Sequence, residues 1–312
     1  MIRYITGRTL SGIMLVAVVA FGTFAMLYGS SGDIARRLLG ESATPETVAR
    51  KSEELGLNRP LWEQFWEWVS SAVTGDLGRS WVNGQRVSDA IESRLPVTLS
   101  LVVLTVALTA IIAIFLGMLA AYRGGWVDSL IQILSVVALA IPGFLIALWL
   151  VLIFAVGLGW FHATGYTPMT QSFSGWLASV ILPVIALAIG AIAGVAQQIR
   201  GSILDTIDRD YVRTLRSRGL PMNHVLYRHV LRNASGPALT ILGLQFIGLI
   251  AGAVFVEQIF ALPGIGQLAI NATLSTDVPV VMGVVVVIAV VVVVGNLLID
   301  LAQGALNPRA RR

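Results

Sequence analysis

The side chains that most often carry chemistry are scarce in this sequence, and those present are poorly spaced for it. A phosphate-binding loop needs Gly-Lys-Ser/Thr, so that backbone amides and a lysine can wrap the phosphates. The only lysine, Lys51, follows Arg50, and the glycines of Gly75–Gly78 have neither a lysine nor a strand-to-helix context. His224 and His229 are five apart, off the i, i+4 register that places two imidazoles on one helical face, and no acid stands in register with them. They read as loop residues, and His162 stands alone. No Ser/His/Asp arrangement emerges, and the absence of cysteine removes disulfides, thiol chemistry and Cys-held metals. The expectation is a chain with no catalytic, cofactor-binding or metal-binding residue of its own, and therefore not an enzyme.

The longest apolar segments contain mainly amides as polar groups, Gln132, Gln245 and Asn296, while Glu257 and Asp300 fall at segment ends. Amides of this kind bond helix to helix. An ion-coupled carrier needs ionisable groups near the bilayer midplane, so that class is disfavoured and energy has to arrive through a protein contact. One stretch is suited to that. Arg200–Ser235 lies between two uncharged runs and holds seven arginines and three aspartates. Asp210–Gly219 reads as a short helix that Gly219 ends in a left-handed conformation, with Pro221 preventing its resumption. A second helix is expected over Asn223–Ala234 with Asn223 as its N-cap. Two short helices around a sharp stop make a hook for a cytoplasmic partner.

The elements that must carry this hook are membrane spans. Across 312 residues the chain is 56% hydrophobic and 12% charged, with mean hydropathy +0.82, far from a soluble composition. The expected fold class is an all-α membrane protein with six transmembrane helices, at about 9–28, 97–121, 130–156, 178–198, 236–257 and 280–300. A folded extracytoplasmic loop follows the first helix, and the cytoplasmic hook joins the fourth to the fifth. The opening Thr9–Gly32 run, behind Arg3 and Arg8, has no small-x-small site near Tyr28–Gly32 and reads as an uncleaved first span. The Val284–Val294 run would favour a strand in water, but in lipid backbone satisfaction makes it helical. Arginine is absent from 158–177 and 258–279 and abundant in the hook, near Arg123 and at Arg309, Arg311 and Arg312. Both termini are therefore expected in the cytoplasm of a multi-pass plasma-membrane protein. In domain terms, 1–96 holds the first span and the long loop, and 97–308 a five-helix domain with a coupling loop at 199–235.

The long loop reads as a small folded unit. Thr44 caps a helix beginning at Pro45 and closed by Gly56. Asn58-Arg-Pro60 opens a second, with Trp62, Phe65, Trp66 and Val69 as a stripe at helical spacing. That stripe, with Trp68 nearby, suits either a headgroup layer or the protein's own outer surface. Asn83-Gly84 signals a hairpin turn, and Asp89 with Glu92 resembles a capping pair before Pro96.

Gly75-Asp-Leu-Gly-Arg-Ser80, Arg94-Leu-Pro-Val-Thr98, the hook and Phe255–Gly266 together resemble the permease subunit of bacterial ABC importers for dipeptides, oligopeptides and nickel. The likeness covers nearly the whole chain. The general importer signature falls on Arg213-Thr214-Leu215, Gly219 and His229-Val230-Leu231-Arg232, where only Gly219 and Leu231 match strictly. Tyr-Val-Arg-Thr before Gly219 and the run Arg228–Asn233 after it are typical of the peptide branch; the departure removes any role for the signature's glutamate. The resemblance implies a second homologous permease, two cytoplasmic ABC ATPases using ATP and Mg, an extracytoplasmic substrate-binding protein, a peptide substrate and surrounding lipid, with no nucleic acid. It makes Tyr211, Arg213, Thr214, Leu215, Arg216, Arg218, Gly219 and Leu231 candidates for ATPase coupling, Tyr211 and Leu215 as hydrophobic anchors. Glu257, Pro263, Gly264 and Gly266 become candidates for an external gate or loop. Nickel import is the alternative within the family; an ion-coupled secondary carrier or a membrane-embedded ATPase regulator is the alternative outside it.

Overall fold

A computed structural model describes residues 2–28, 31–40 and 43–306. Part of the Tyr28–Gly32 segment, and Arg309, Arg311 and Arg312, lie outside the described residues. The helices are α1 (Ile2–Tyr28), α2 (Ser31–Leu39), α3 (Pro45–Glu54), α4 (Leu61–Val73), α5 (Val87–Arg123), α6 (Gly125–Ala140) and α7 (Gly143–Leu150). They continue with α8 (Phe173–Ile207), α9 (Asp210–Ser217), α10 (Met222–Val225), α11 (Leu231–Ile259), α12 (Ile265–Leu274) and α13 (Val278–Leu306). Wider, π-type turns occupy Val151–Gly157 and Leu226–Val230. Among the described residues the only β pairing is an isolated antiparallel bridge between Arg79 and Arg86.

Five of these helices are long and apolar enough to cross a membrane. The valine run lies inside α13, so in this composition helical hydrogen bonding wins over β-propensity. The expected third span is not one rod. α6 and α7 meet at 96°, making a broken span or a re-entrant pair. The cause is local: Pro142 drives the preceding Ile141 out of the helical region, to ψ 122°, and then starts α7. The second span also differs, because Val87–Arg123 is a single helix with Pro96 inside it. Asp89 is the third residue of that helix, in its first turn, and not its N-cap.

The chain divides into two compact units, Met1–Ile5 with Thr98–Leu262 and Val294–Arg312, and Thr6–Val97 with Pro263–Val293. In the first, α8 packs on α6, α7 and α11. Small residues allow close approach. A Cβ on Gly117 of α5 would lie 2.8 Å from the Ala196 carbonyl oxygen and from Ile199 of α8, and one on Gly295 would strike the Phe246 ring of α11. Gln245 lies against Gly194 of α8 and Asn296 against Gly243 of α11.

In the second unit, Phe24 and Tyr28 of α1 stack at 4.1 Å, and Phe65 of α4 meets Phe24 edge-on at 5.3 Å. Thr44 caps α3 by accepting from the Thr47 amide, and Gly56 takes φ +68° after it. The aromatic stripe of α4 splits. Phe65 and Trp68 pack onto the Phe24 cluster, while Trp62 and Trp66 remain about two-thirds exposed, at 65% and 63%. The Asn83-Gly84 turn forms, with the Ser80 amide donating to Gln85 (2.9 Å) and Gly84 at φ +72°.

Because the Ala196 carbonyl and the branched base of the Ile199 side chain crowd Gly117 and cannot easily yield, Gly117→Val should lower the stability of the purified protein by about 1–3 kcal/mol. Gly190→Ala on α8, where a Cβ meets nothing within 4 Å, serves as the control and should leave thermal unfolding unchanged. Equal midpoints for the two variants would contradict the packing.

Candidate functional site

The hook begins where α8 ends. A helix of 35 residues rises about 52 Å, well beyond the roughly 30 Å of hydrocarbon, so its last turns reach past the apolar layer. Arg200 belongs to α8 and not to the hook. Its guanidinium donates to both carboxylate oxygens of Asp128, in the first turn of α6, each at 2.5 Å. With its amide oxygen turned inward, Gln132 accepts from Nε and Nη1 of the same guanidinium at 2.8 and 3.0 Å. The side chains are only 26% and 20% exposed, so this fork-on-fork pair is partly withdrawn from water and fastens α6 to α8. Sequence reading did not join them, since they stand 72 residues apart.

α9 carries an apolar side and a charged side. Val212 is buried, and Tyr211 and Leu215 are half-buried, all against a cluster that includes Ile199 and Ile203 of α8, Ala113 and Met118 of α5, and Val225, Leu226 and Val230 beyond the turn. Each fully buried aliphatic chain there stabilises the docked position by about 1.5–3 kcal/mol. The face left outside is Arg213, Thr214, Arg216, Ser217 and Arg218. Arg213 approaches Asp210 at 4.0 Å, with both side chains largely in solvent, a contact of little energetic weight. Thr214 and Ser217 donate back to the carbonyls of Asp210 and Arg213.

The stop after α9 is a two-bond closure. Gly219 has φ +81°; its amide donates to Arg216 (2.9 Å) and that of Leu220 to Leu215 (3.4 Å). Leu220 and Leu215 pack on the same cluster, the hydrophobic contact that usually accompanies this geometry.

The expected second hook helix is not separate. α10 starts at Met222 with Pro221 as its N-cap, and no side chain caps it, so Asn223 lies inside the helix. α10 passes through the wide turn Leu226–Val230 straight into α11, which contains Leu231. Arg232 has no described side chain. The wide turn also corrects the reading of His224 and His229 as loop residues. Bonds from i to i+5 bring residues five apart onto one side, and their rings lie 6.0 Å apart.

The external candidates have their own geometry. Glu257, near the end of α11, is fully buried and accepts a 2.5 Å bond from Thr98 of α5. Ala261 takes φ +49° and the Leu262 amide donates to the Glu257 carbonyl, ending the helix. Pro263 is exposed, Gly264 caps α12 in an extended conformation, and Gly266 is buried within it.

A Cβ on Gly219 would meet nothing within 4 Å, so any effect of substitution there is backbone strain and not a clash. Gly219→Val should cost about 1–2 kcal/mol and raise tryptic cleavage at the hook arginines roughly tenfold; Gly219→Asn, which tolerates positive φ, should do less. Identical cleavage rates would contradict the left-handed closure. For the clamp, Asp128→Ala and Arg200→Ala should each destabilise by about 3 kcal/mol, because each strands a partly buried charge. The double variant should cost clearly less than their sum in thermal unfolding, and simple additivity would show that the pair is not coupled.

Known proteins match this sequence along its whole length. The family model described as binding-protein-dependent transport system inner membrane component matches residues 113–312, and the corresponding N-terminal model matches residues 1–102. A putative peptide transport system permease protein of Brucella abortus (strain 2308) is 41% identical over 312 residues, covering 100% of this chain and 99% of its own. The oligopeptide transport system permease protein AppB of Bacillus subtilis (strain 168) is 36% identical, with 99% of both chains covered. The glutathione transport system permease protein GsiC of Escherichia coli O6:H1 is 33% identical over 100% of this chain and 99% of its own. The chain belongs to the family of binding-protein-dependent transport system inner membrane components.

Proposed function

We propose that this protein is the transmembrane permease subunit of an ATP-driven importer of di- or oligopeptides, forming half of a pathway completed by a second homologous permease. Two cytoplasmic ATPases, using ATP and Mg, supply the work, and an extracytoplasmic binding protein delivers the peptide. The observation that carries the coupling role is the hook: an arginine-rich outer face, held on the bundle by its own apolar side and continuous with α11. A partner that moves this face moves a membrane helix directly, so closure of the ATPases on ATP biases the bundle between inward- and outward-facing states.

In this reading Arg213, Thr214, Arg216, Arg218 and Gly219 meet the ATPase. Tyr211 and Leu215 present the surface that the hook's own cluster leaves open, and Leu231 transmits the contact into α11. The N-terminus, Arg123, the hook and the C-terminus are cytoplasmic, because arginine gathers there. Residues 29–96 form a folded external unit, and Glu257, Pro263, Gly264 and Gly266 belong to the external end of the pathway. Residues 97–308 form the permease domain.

Two measurements test this. A cysteine introduced at Ser217 should resist an impermeant thiol reagent in intact cells and react after permeabilisation; labelling in intact cells would reverse the topology. In the reconstituted complex, Tyr211→Ala with Leu215→Ala should weaken ATPase attachment by up to about 1.5–3 kcal/mol for each side chain and reduce peptide uptake per ATP. Wild-type stoichiometry together with undiminished uptake would remove both residues from the coupling contact.

A further inference from the structure

The turn after α4 and the α12–α13 connection enclose a cavity of about 190 Å³, lined by Asn83 and Gln85 on one side, Asn271 and Ser275 on the other, and Arg94 of α5. Arg94 is half-buried, and among the described residues no carboxylate lies within ion-pairing distance of it. The acid that also lines the cavity, Asp277, is already engaged. One oxygen accepts from the Ser80 hydroxyl and the other from the Trp81 amide at 3.0 Å. Ser80 in turn accepts from the amides of Val82 and Asn83 at 3.2 and 3.1 Å. These bonds hold the walls in place without using Arg94. A guanidinium partly withdrawn from water, with no counter-charge among the described residues, favours an incoming anion.

We propose that this notch receives one acidic side chain from the extracytoplasmic substrate-binding protein, so that Arg94 is a docking residue for that partner. The size selects the ligand, since sites for small molecules run to about 300–1,000 Å³. This one takes a single side chain and leaves no room for a peptide. The charge selects a carboxylate, and the amides of Asn83, Gln85 and Asn271 supply donors around its rim. The inference rests on the proposed topology, in which both flanking loops face outward and the binding protein is the partner that meets them.

The test uses the complete complex in nanodiscs and its fluorescently labelled binding protein, loaded from a mixed peptide digest. Affinity is measured at low and high salt, with and without phosphatidylglycerol. Arg94→Gln should weaken docking roughly tenfold and flatten its salt dependence, Arg94→Lys should fall between, and Ser275→Glu, which sets a like charge at the mouth, should also weaken it. Arg86→Gln, an exposed arginine of the same turn that does not line the notch, should leave the affinity unchanged. Wild-type affinity and salt dependence in Arg94→Gln would overturn the proposal, as would an unaltered Ser275→Glu if the first variant fails to assemble. An effect seen only with phosphatidylglycerol would assign Arg94 to a lipid headgroup instead. A wild-type complex that neither binds the binding protein nor responds to it would sink the importer reading itself, a result distinguishable from failure of the notch alone.

Discussion

A backbone amide in hydrocarbon has no water to bond, and the rest of this structure follows from that constraint. It turns a run of valines into the middle of α13. It also limits where the chain can break. The Ile141–Pro142 bend occurs where the proline has no amide to satisfy; α6 and α7 both lie against α8, while Ile141 is half-buried and Pro142 exposed. The wide turns at Val151–Gly157 and Leu226–Val230 are smaller departures that lengthen the hydrogen-bond pattern without abandoning it.

The hook draws on a different balance. Its helix is only eight residues long, too short to be stable alone, so it depends on burying Val212 and half-burying Tyr211 and Leu215 on the bundle. That requirement decides which side remains for a partner. The apolar residues that look like free anchors along the sequence are partly committed to the fold, and the open face is arginine, threonine and serine. In the proposed coupling role such a face would favour rapid, salt-sensitive association, with tighter contact left to the uncovered edges of Tyr211 and Leu215. In that role, the direct passage from α10 through the wide turn to α11 would carry a surface contact into a span, which a flexible linker would not do.

Polar pairs join segments distant in the chain, among them Asp128 with Arg200, Ser80 with Asp277, and Thr98 with Glu257. In each pair at least one partner lies near the end of a helix or at a connection, where the chain leaves its regular hydrogen-bonded core. Alongside the close packing at Gly117 and Gly295, directional bonds of this kind help set register. The pair at Arg200 fixes the helix that leads into the hook, and the pair at Asp277 shapes the notch around Arg94.

Much of this protein is determined by local composition alone. The apolar runs specify helical spans, Thr44 and Pro45 specify the start of α3, and Gly219 specifies a left-handed stop, because each acts on its own few residues of backbone. Tertiary structure decided what depends on neighbours. The 96° bend needed a proline at a particular place in a packed bundle, where the same residue type at Pro96 leaves α5 continuous. The wide turn that merges α10 with α11 and brings His224 beside His229 leaves no mark in residue spacing read at 3.6 per turn. Asp128 with Arg200, and an Arg94 with no carboxylate in ion-pairing distance among the described residues, were invisible for the same reason. A charge finds or lacks its partner in space, across separations of 72 residues and more, and nothing in the local sequence records which.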